Sequence, residues 1–160
     1  MIDSSKKELT IINGLMKNEE LMSELYKKYS LILPEEYEFW KHISHDETDH
    51  AGWLRDLHNM VSQGVVPFDD DRIKIEVVES FSTYINEQIA RTETDELSSL
   101  QVLSISMDLE NSLLEHGFFG VHETDDPKLK LIFDELQKST EVHYSMVKEL
   151  WLAERSKTNS

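Results

Sequence analysis

The 160-residue chain carries 32 Asp plus Glu against 16 Lys plus Arg, a formal net charge of −16 at pH 7. A chain this acidic repels phosphate backbones and anionic lipid headgroups, so neither nucleic acid nor a membrane surface is an expected partner. With no cysteine, disulfides, thiolate metal sites, iron–sulfur clusters and a cysteine nucleophile are excluded together, and any metal must be held by carboxylates and imidazoles.

The length suits a single domain, 1–160, with its core over about 5–154. No apolar run approaches the roughly 20 residues of a membrane span, and the opening MIDSSKKELTII has no signal-peptide stretch, so a cytoplasmic location is expected. Five glycines, three prolines and apolar residues at three- and four-residue spacing predict an all-α chain. A first helix is expected from about Ser5 to Tyr29, with Ile12, Leu15, Met16, Met22 and Tyr26 on one face. A second opens near Pro34 and runs to about Ser62, ended by Gly64 and Pro67. Two more follow, one from about Asp95 to Phe119 and one opened by the DDP of Asp125 to Pro127 and continuing to about Glu154. The tail RSKTNS is expected to fray.

Short connections make antiparallel neighbours, so the long stretch from Gly64 to Thr94 must let the chain cross the length of the molecule. Val77, Val78, Phe81, Tyr84, Ile85 and Ile89 predict a further helix inside it, about Ile73 to Arg91, packed on the others or on a second subunit. The fold class is thus four helices in an up-down bundle, with a long crossover containing an extra helix between the second and third.

The stretch HDETDH interrupts this pattern. A three-four alternation along the second helix picks out Trp40, Ile43, Glu47, His50, Leu54, Leu57 and Val61, so Glu47 and His50 fill two consecutive places of an apolar seam. The fourth helix repeats the seam 93 residues later (47 + 93 = 140 and 50 + 93 = 143) as Phe133, Leu136, Thr140, His143, Val147 and Leu150. The first and third helices each put one acid on their apolar face: Glu19 among Leu15, Met16, Met22 and Tyr26, and Glu110 among Leu103, Met107, Leu113 and Leu114. The two halves therefore read as an internal duplication.

An ionised carboxylate away from water costs several kcal/mol unless compensated. None of these seam positions holds Lys or Arg, and a divalent cation would supply the missing charge, with Glu and His three residues apart offering oxygen and nitrogen on one face. Protonated acids hydrogen-bonded to the histidines, or edge residues reaching solvent, would satisfy the same pattern without metal. The candidate ligands are Glu19, Glu47, His50, Glu110 and His143.

These residues carry a resemblance. The acid of NEELMSELY, the ETDH of the second helix, the acid of DLENSLLEHGFF and the TEVH of the fourth resemble, in order, the motifs of the ferritin-like superfamily, closest to its rubrerythrin-like branch. The resemblance spans about Ser5 to Glu154 and implies iron or manganese at the bundle centre, with oxidoreductase or peroxidase-type chemistry on oxygen or peroxide; the carboxylate and imidazole donors suit zinc as well. It selects Glu19 over Glu20, because Glu19 stands seven residues before Tyr26. A homodimer is the expected assembly, and since rubrerythrins carry a cysteine-ligated electron-transfer module and this chain has no cysteine, the resemblance implies a separate electron donor.

The departure is Thr140, where TxxH replaces the family's second ExxH; Glu141 stands about 100° round the helix and does not substitute. Three carboxylates leave two divalent ions at +1 or one ion at −1, so either a two-ion centre or a single ion on Glu19, Glu47 and His50 satisfies the pattern. A non-catalytic interaction, structural or metal-sensing bundle is the other functional reading. Off the seam, His42, His45 and Asp49 read as a solvated outer face, His116 and His122 as surface, and Trp40, Trp53, Phe118 and Phe119 as core or interface. The acidic run Asp69 to Asp71 reads as a helix-capping loop.

Overall fold

The computed structural model describes residues 4–68, 73–119 and 126–158, and among these its regular structure is entirely helical. Helix α1 spans Ser4–Ile32, a 3-10 turn spans Pro34–Glu36, and α2 spans Tyr37–Ser62. Helix α3 follows at Ile75–Thr94, α4 at Ser99–Glu115 and α5 at Pro127–Thr158. No helix among the described residues is long and apolar enough to cross a membrane.

The helix ends differ from the sequence expectation for local reasons. Helix α1 runs past Tyr29 because nothing opposes it before Leu33, which precedes proline and leaves the helical region at φ −124° and ψ 73°. Helix α4 is shorter at both ends than the expected Asp95 to Phe119. Ser98 accepts from the Gln101 backbone N–H while the Gln101 side chain accepts from the Ser98 N–H, and Gly117 ends the segment at φ +64°. The tail is not frayed where it is described: α5 continues to Thr158, with Arg155 over the Trp151 ring at 5.1 Å and Lys157 3.0 Å from Glu154. Cations in the last turn suit the negative end of the helix.

Side-chain contacts give the helix directions. Helices α1 and α2 are antiparallel, tied by Ser23, whose hydroxyl lies 2.8 Å from that of Thr48 and donates to the Ser44 carbonyl at 2.9 Å. Helices α4 and α5 are antiparallel too, with the Trp151 indole donating to Ser104 at 2.8 Å. Helix α2 meets α5 antiparallel, pairing Asp46 with His143 and His50 with Ser139. Since α2 and α4 both run against α5, they are parallel to each other, and the chain between them has to return. Helix α3 makes that return along α1, with Ser82 bonded to Asn18 and Lys28 3.3 Å from Glu93. Helix α3 therefore packs on α1 of its own chain.

The core is continuous from Ile12, Leu15, Met22 and Tyr26 of α1 through Trp40, Ile43, Leu54 and Leu57 of α2 to Leu103, Leu109, Phe133, Leu136 and Val147 of α4 and α5. Phe118 and Phe119 close one end, and Trp40 is buried while Trp53 is only partly covered. Met16, Met107, Leu114 and Leu150, expected on the seams, are half-buried. His122 and Asp69 to Asp71 lie outside the described residues.

Candidate metal centre

The helical period that buries the seams also buries their polar members. Glu19 on α1, Glu47 and His50 on α2, Glu110 on α4 and His143 on α5 are each at most 1% exposed, and they converge. One oxygen or ring nitrogen from each of Glu19, Glu47 and His50 lies within 4.8 Å of the others, and the same holds for Glu47, Glu110 and His143. Glu47 belongs to both groups. Its Oε1 is 2.9 Å from His143 Nδ1 and its Oε2 3.2 Å from His50 Nδ1, so one carboxylate spans the two halves.

The flanking acids are differently placed. Glu19 Oε2 is 3.6 Å from His50 Nδ1, beyond an ordinary hydrogen bond, and both Glu19 oxygens are buried without a partner. Glu110 Oε1 accepts from the Tyr26 hydroxyl at 2.8 Å and is 3.6 Å from His143 Nδ1, while its Oε2 is buried and unpartnered. Three orphaned carboxylate oxygens facing one cluster are what buried protein rarely tolerates without a further ligand.

The rejected positions point elsewhere. Glu20 is exposed and 3.3 Å from Arg55, and Glu141 is exposed and accepts from Gln137 at 3.0 Å. Thr140 faces inward at 1% exposure, with its hydroxyl donating to its own helix at the Leu136 carbonyl, 2.8 Å away. It brings no charge to the interior.

Sequence reasoning missed the groups that hold the imidazoles. His143 Nε2 lies 3.0 Å from Asp46 Oδ2, and His50 Nε2 lies 2.7 Å from Ser139 Oγ. Both partners stand one residue before a seam position, and they obey the same duplication (46 + 93 = 139). Each reaches across the α2–α5 contact to the other helix's histidine. With the outer nitrogens fixed, both Nδ1 atoms face the carboxylates, the orientation by which outer partners set a metal-binding histidine. The two rings lie 5.6 Å apart, nearly parallel, and Trp53 covers His50 at 5.1 Å.

Burial and mutual repulsion set the charge states. Burial, reinforced by the Glu47 charge, raises Glu19 well above the usual carboxylate range, and the same two causes raise Glu110. Burial would also raise Glu47, but Glu19, His143 and His50 around it hold it well below that range. Burial opposes a charged imidazole at both histidines, yet the facing carboxylates push His50 up to about 10 and His143 up to about 12. The cluster thus favours the charged form of Glu47 and disfavours the charged forms of Glu19 and Glu110.

Carboxylate oxygen and imidazole nitrogen are the donor set that iron, manganese and zinc accept, and two donors on each side of a shared carboxylate fit a metal pair. No family model, curated protein or solved structure matches the chain.

Proposed function

We propose that the chain is a ferritin-like four-helix bundle of the rubrerythrin type that binds two divalent metal ions, iron or manganese before zinc, and acts on dioxygen or peroxide. The observation that supports this reading is the shared Glu47, with an inward-facing histidine on each side and unpartnered oxygens of Glu19 and Glu110 beyond them. Glu19 and His50 would hold one ion, Glu110 and His143 the other, and Glu47 would bridge them. The missing carboxylate at Thr140 is offset in charge by Asp46, which brings the set to four acids against two divalent ions, −4 + 4 = 0.

Iron or manganese held there would supply one-electron chemistry toward dioxygen or peroxide. The chain's own groups do the rest. Asp46 accepts the Nε2 proton of His143 and makes its Nδ1 a better donor, as Ser139 does more weakly for His50. Tyr26 keeps a phenolic proton 2.8 Å from Glu110 Oε1, which orients that carboxylate and offers a proton at its edge. Burial of all five groups excludes bulk water, and threonine in place of the second bridging acid leaves a neutral side of the site for a small substrate. Electrons would come from a separate donor, and a homodimer is the expected assembly.

Peroxide consumption by protein reconstituted with ferrous ion tests this reading. The wild type should consume peroxide, and Glu47→Gln should lose both metal and turnover; turnover that survives the substitution sinks the proposal. A second reading has an observation of its own. Glu47 lies 2.9 Å from His143 Nδ1 and 3.2 Å from His50 Nδ1, and the facing carboxylates push both imidazoles up, so the cluster can serve as a metal-free ionic clasp in a structural or interaction module. Under that reading chelation leaves the melting temperature unchanged, whereas a loaded metal pair raises it.

A further inference from the structure

We propose that the outer face of α2 forms a separate surface metal site in which His45, Asp46 and Asp49, with His42 beside them, chelate one divalent transition-metal ion. These four residues occupy positions i, i+3, i+4 and i+7 of one helix, which places four donors on one face. A ligand atom from each of His45, Asp46 and Asp49 lies within 4.8 Å of the other two. His42 Nε2 stands 3.6 Å from Asp46 Oδ2, and His45 Nδ1 stands 3.5 Å from Asp49 Oδ2. Both spacings exceed a good hydrogen bond.

Three of the four donors can swing toward an ion, while Asp46 also holds His143. The side chains of His42, His45 and Asp49 are 66%, 75% and 53% exposed, and Asp46 is 31% exposed. Tetrahedral ligands at bonds of about 2.0–2.2 Å lie roughly 3.4 Å apart, a contraction that rotation of exposed side chains can supply. Asp49 supplies one full carboxylate charge, and Asp46 shares its charge between this ion and His143. The nearest cation on the helix, Lys41, is engaged over the Tyr37 ring at 5.1 Å. Imidazole with carboxylate favours transition metals such as zinc, copper, nickel and iron over magnesium or calcium.

The site is coupled to the buried centre through one atom. Asp46 Oδ2, 3.6 Å from His42 on the outside, is also the oxygen 3.0 Å from His143 Nε2 on the inside. An ion on the surface face competes with His143 for that oxygen, so occupancy of either place changes the affinity of the other, reciprocally.

Equilibrium dialysis against zinc, with the wild type, the His45→Asn/Asp49→Asn double variant and Glu47→Gln compared side by side, tests the surface site independently of the buried one. The double variant should bind one zinc fewer per chain than the wild type, and Glu47→Gln should keep one. The imidazole nitrogen resonances of His42 and His45 should shift on addition of that zinc to Glu47→Gln. If the buried centre binds nothing, the wild type still binds one zinc and the double variant none, so failure of one site is distinguishable from failure of the other. Equal zinc in wild type and double variant, or unmoved His42 and His45 resonances, overturns the proposal. Both substitutions lie on exposed positions, so the double variant folds as the wild type does, which its helical circular dichroism checks.

Discussion

Replacing Glu47 by Gln keeps the volume of the side chain and removes its charge, which isolates the electrostatic role of the residue at the middle of the cluster. In the metal-free protein the carboxylate faces two histidine nitrogens at 2.9 and 3.2 Å, and all three side chains are nearly sealed from water. A hydrogen bond to a charged group contributes about 1.5–3 kcal/mol, and stripping one partner from a buried ion pair costs about 3–5 kcal/mol. The histidines can relieve part of that loss by releasing protons, which lowers the cost at high pH. The expected result is a loss of about 3–5 kcal/mol in urea unfolding of chelated protein at pH 6, shrinking by pH 9, with unchanged m-value. A loss below about 1 kcal/mol, the range of an exposed pair, would refute the charge distribution assigned to the cluster.

Asp46→Asn keeps the shape but weakens the acceptor on His143 Nε2, so affinity for buried metal should fall about 10–100-fold by competition with a chromophoric chelator; unchanged affinity would separate Asp46 from the centre. Stability of the chelated protein should peak in mildly acidic solution. The raised histidines contribute fully below their unfolded value of 6.5 and lose that contribution as pH climbs through about 10 and 12, whereas depressed Glu47 contributes above 4.5 and loses it as pH falls. Raised Glu19 and Glu110 add to the decline above 4.5. Melting temperature against pH checks this, and added metal should reverse the alkaline decline because its ligands must be deprotonated. At Gly14 a Cβ would stand 2.7 Å from Val78 Cγ1, a side chain stiffened by β-branching, so Gly14→Ala should cost about 1–3 kcal/mol in urea unfolding by pushing α3 off α1.

The residues most legible in the sequence are those whose burial follows from helical period alone. Glu47, His50 and His143 occupy apolar-seam places, and Glu19 and Glu110 lie between apolar residues of their own turns; the structure buries all five and brings them together. Of the two neighbouring acids, Glu19 is buried and Glu20 pairs with Arg55 at the surface. Helix ends were less legible because caps and stops decide them. The Ser98 and Gln101 capping box and the left-handed Gly117 shortened α4 against an apolar pattern that continues through Phe118 and Phe119.

Asp46 and Ser139 were hidden for a geometric reason. A position one residue before a seam lies about 100° round the helix and reads as solvent-facing, and only the meeting of α2 with α5 turns it toward the opposite histidine. The 93-residue duplication marked the pair all the same. The docking of α3 was only partly legible: Val78 and Ile85 carry the apolar pattern, while Asn18 and Ser82, two small polar residues buried against each other, also hold it to α1. Nothing in a seam pattern marks an asparagine next to Glu19 as a contact for a helix sixty residues on.

The most direct test of the account is the iron content of the His45→Asn/Asp49→Asn protein, in which the surface face is removed, after anaerobic reconstitution with ferrous ion and removal of loose metal. Two irons per chain, falling to none with Glu47→Gln added and to one with Glu110→Gln added, is the result expected of a pair bridged by Glu47. No retained iron, with a melting temperature indifferent to chelator, would contradict it.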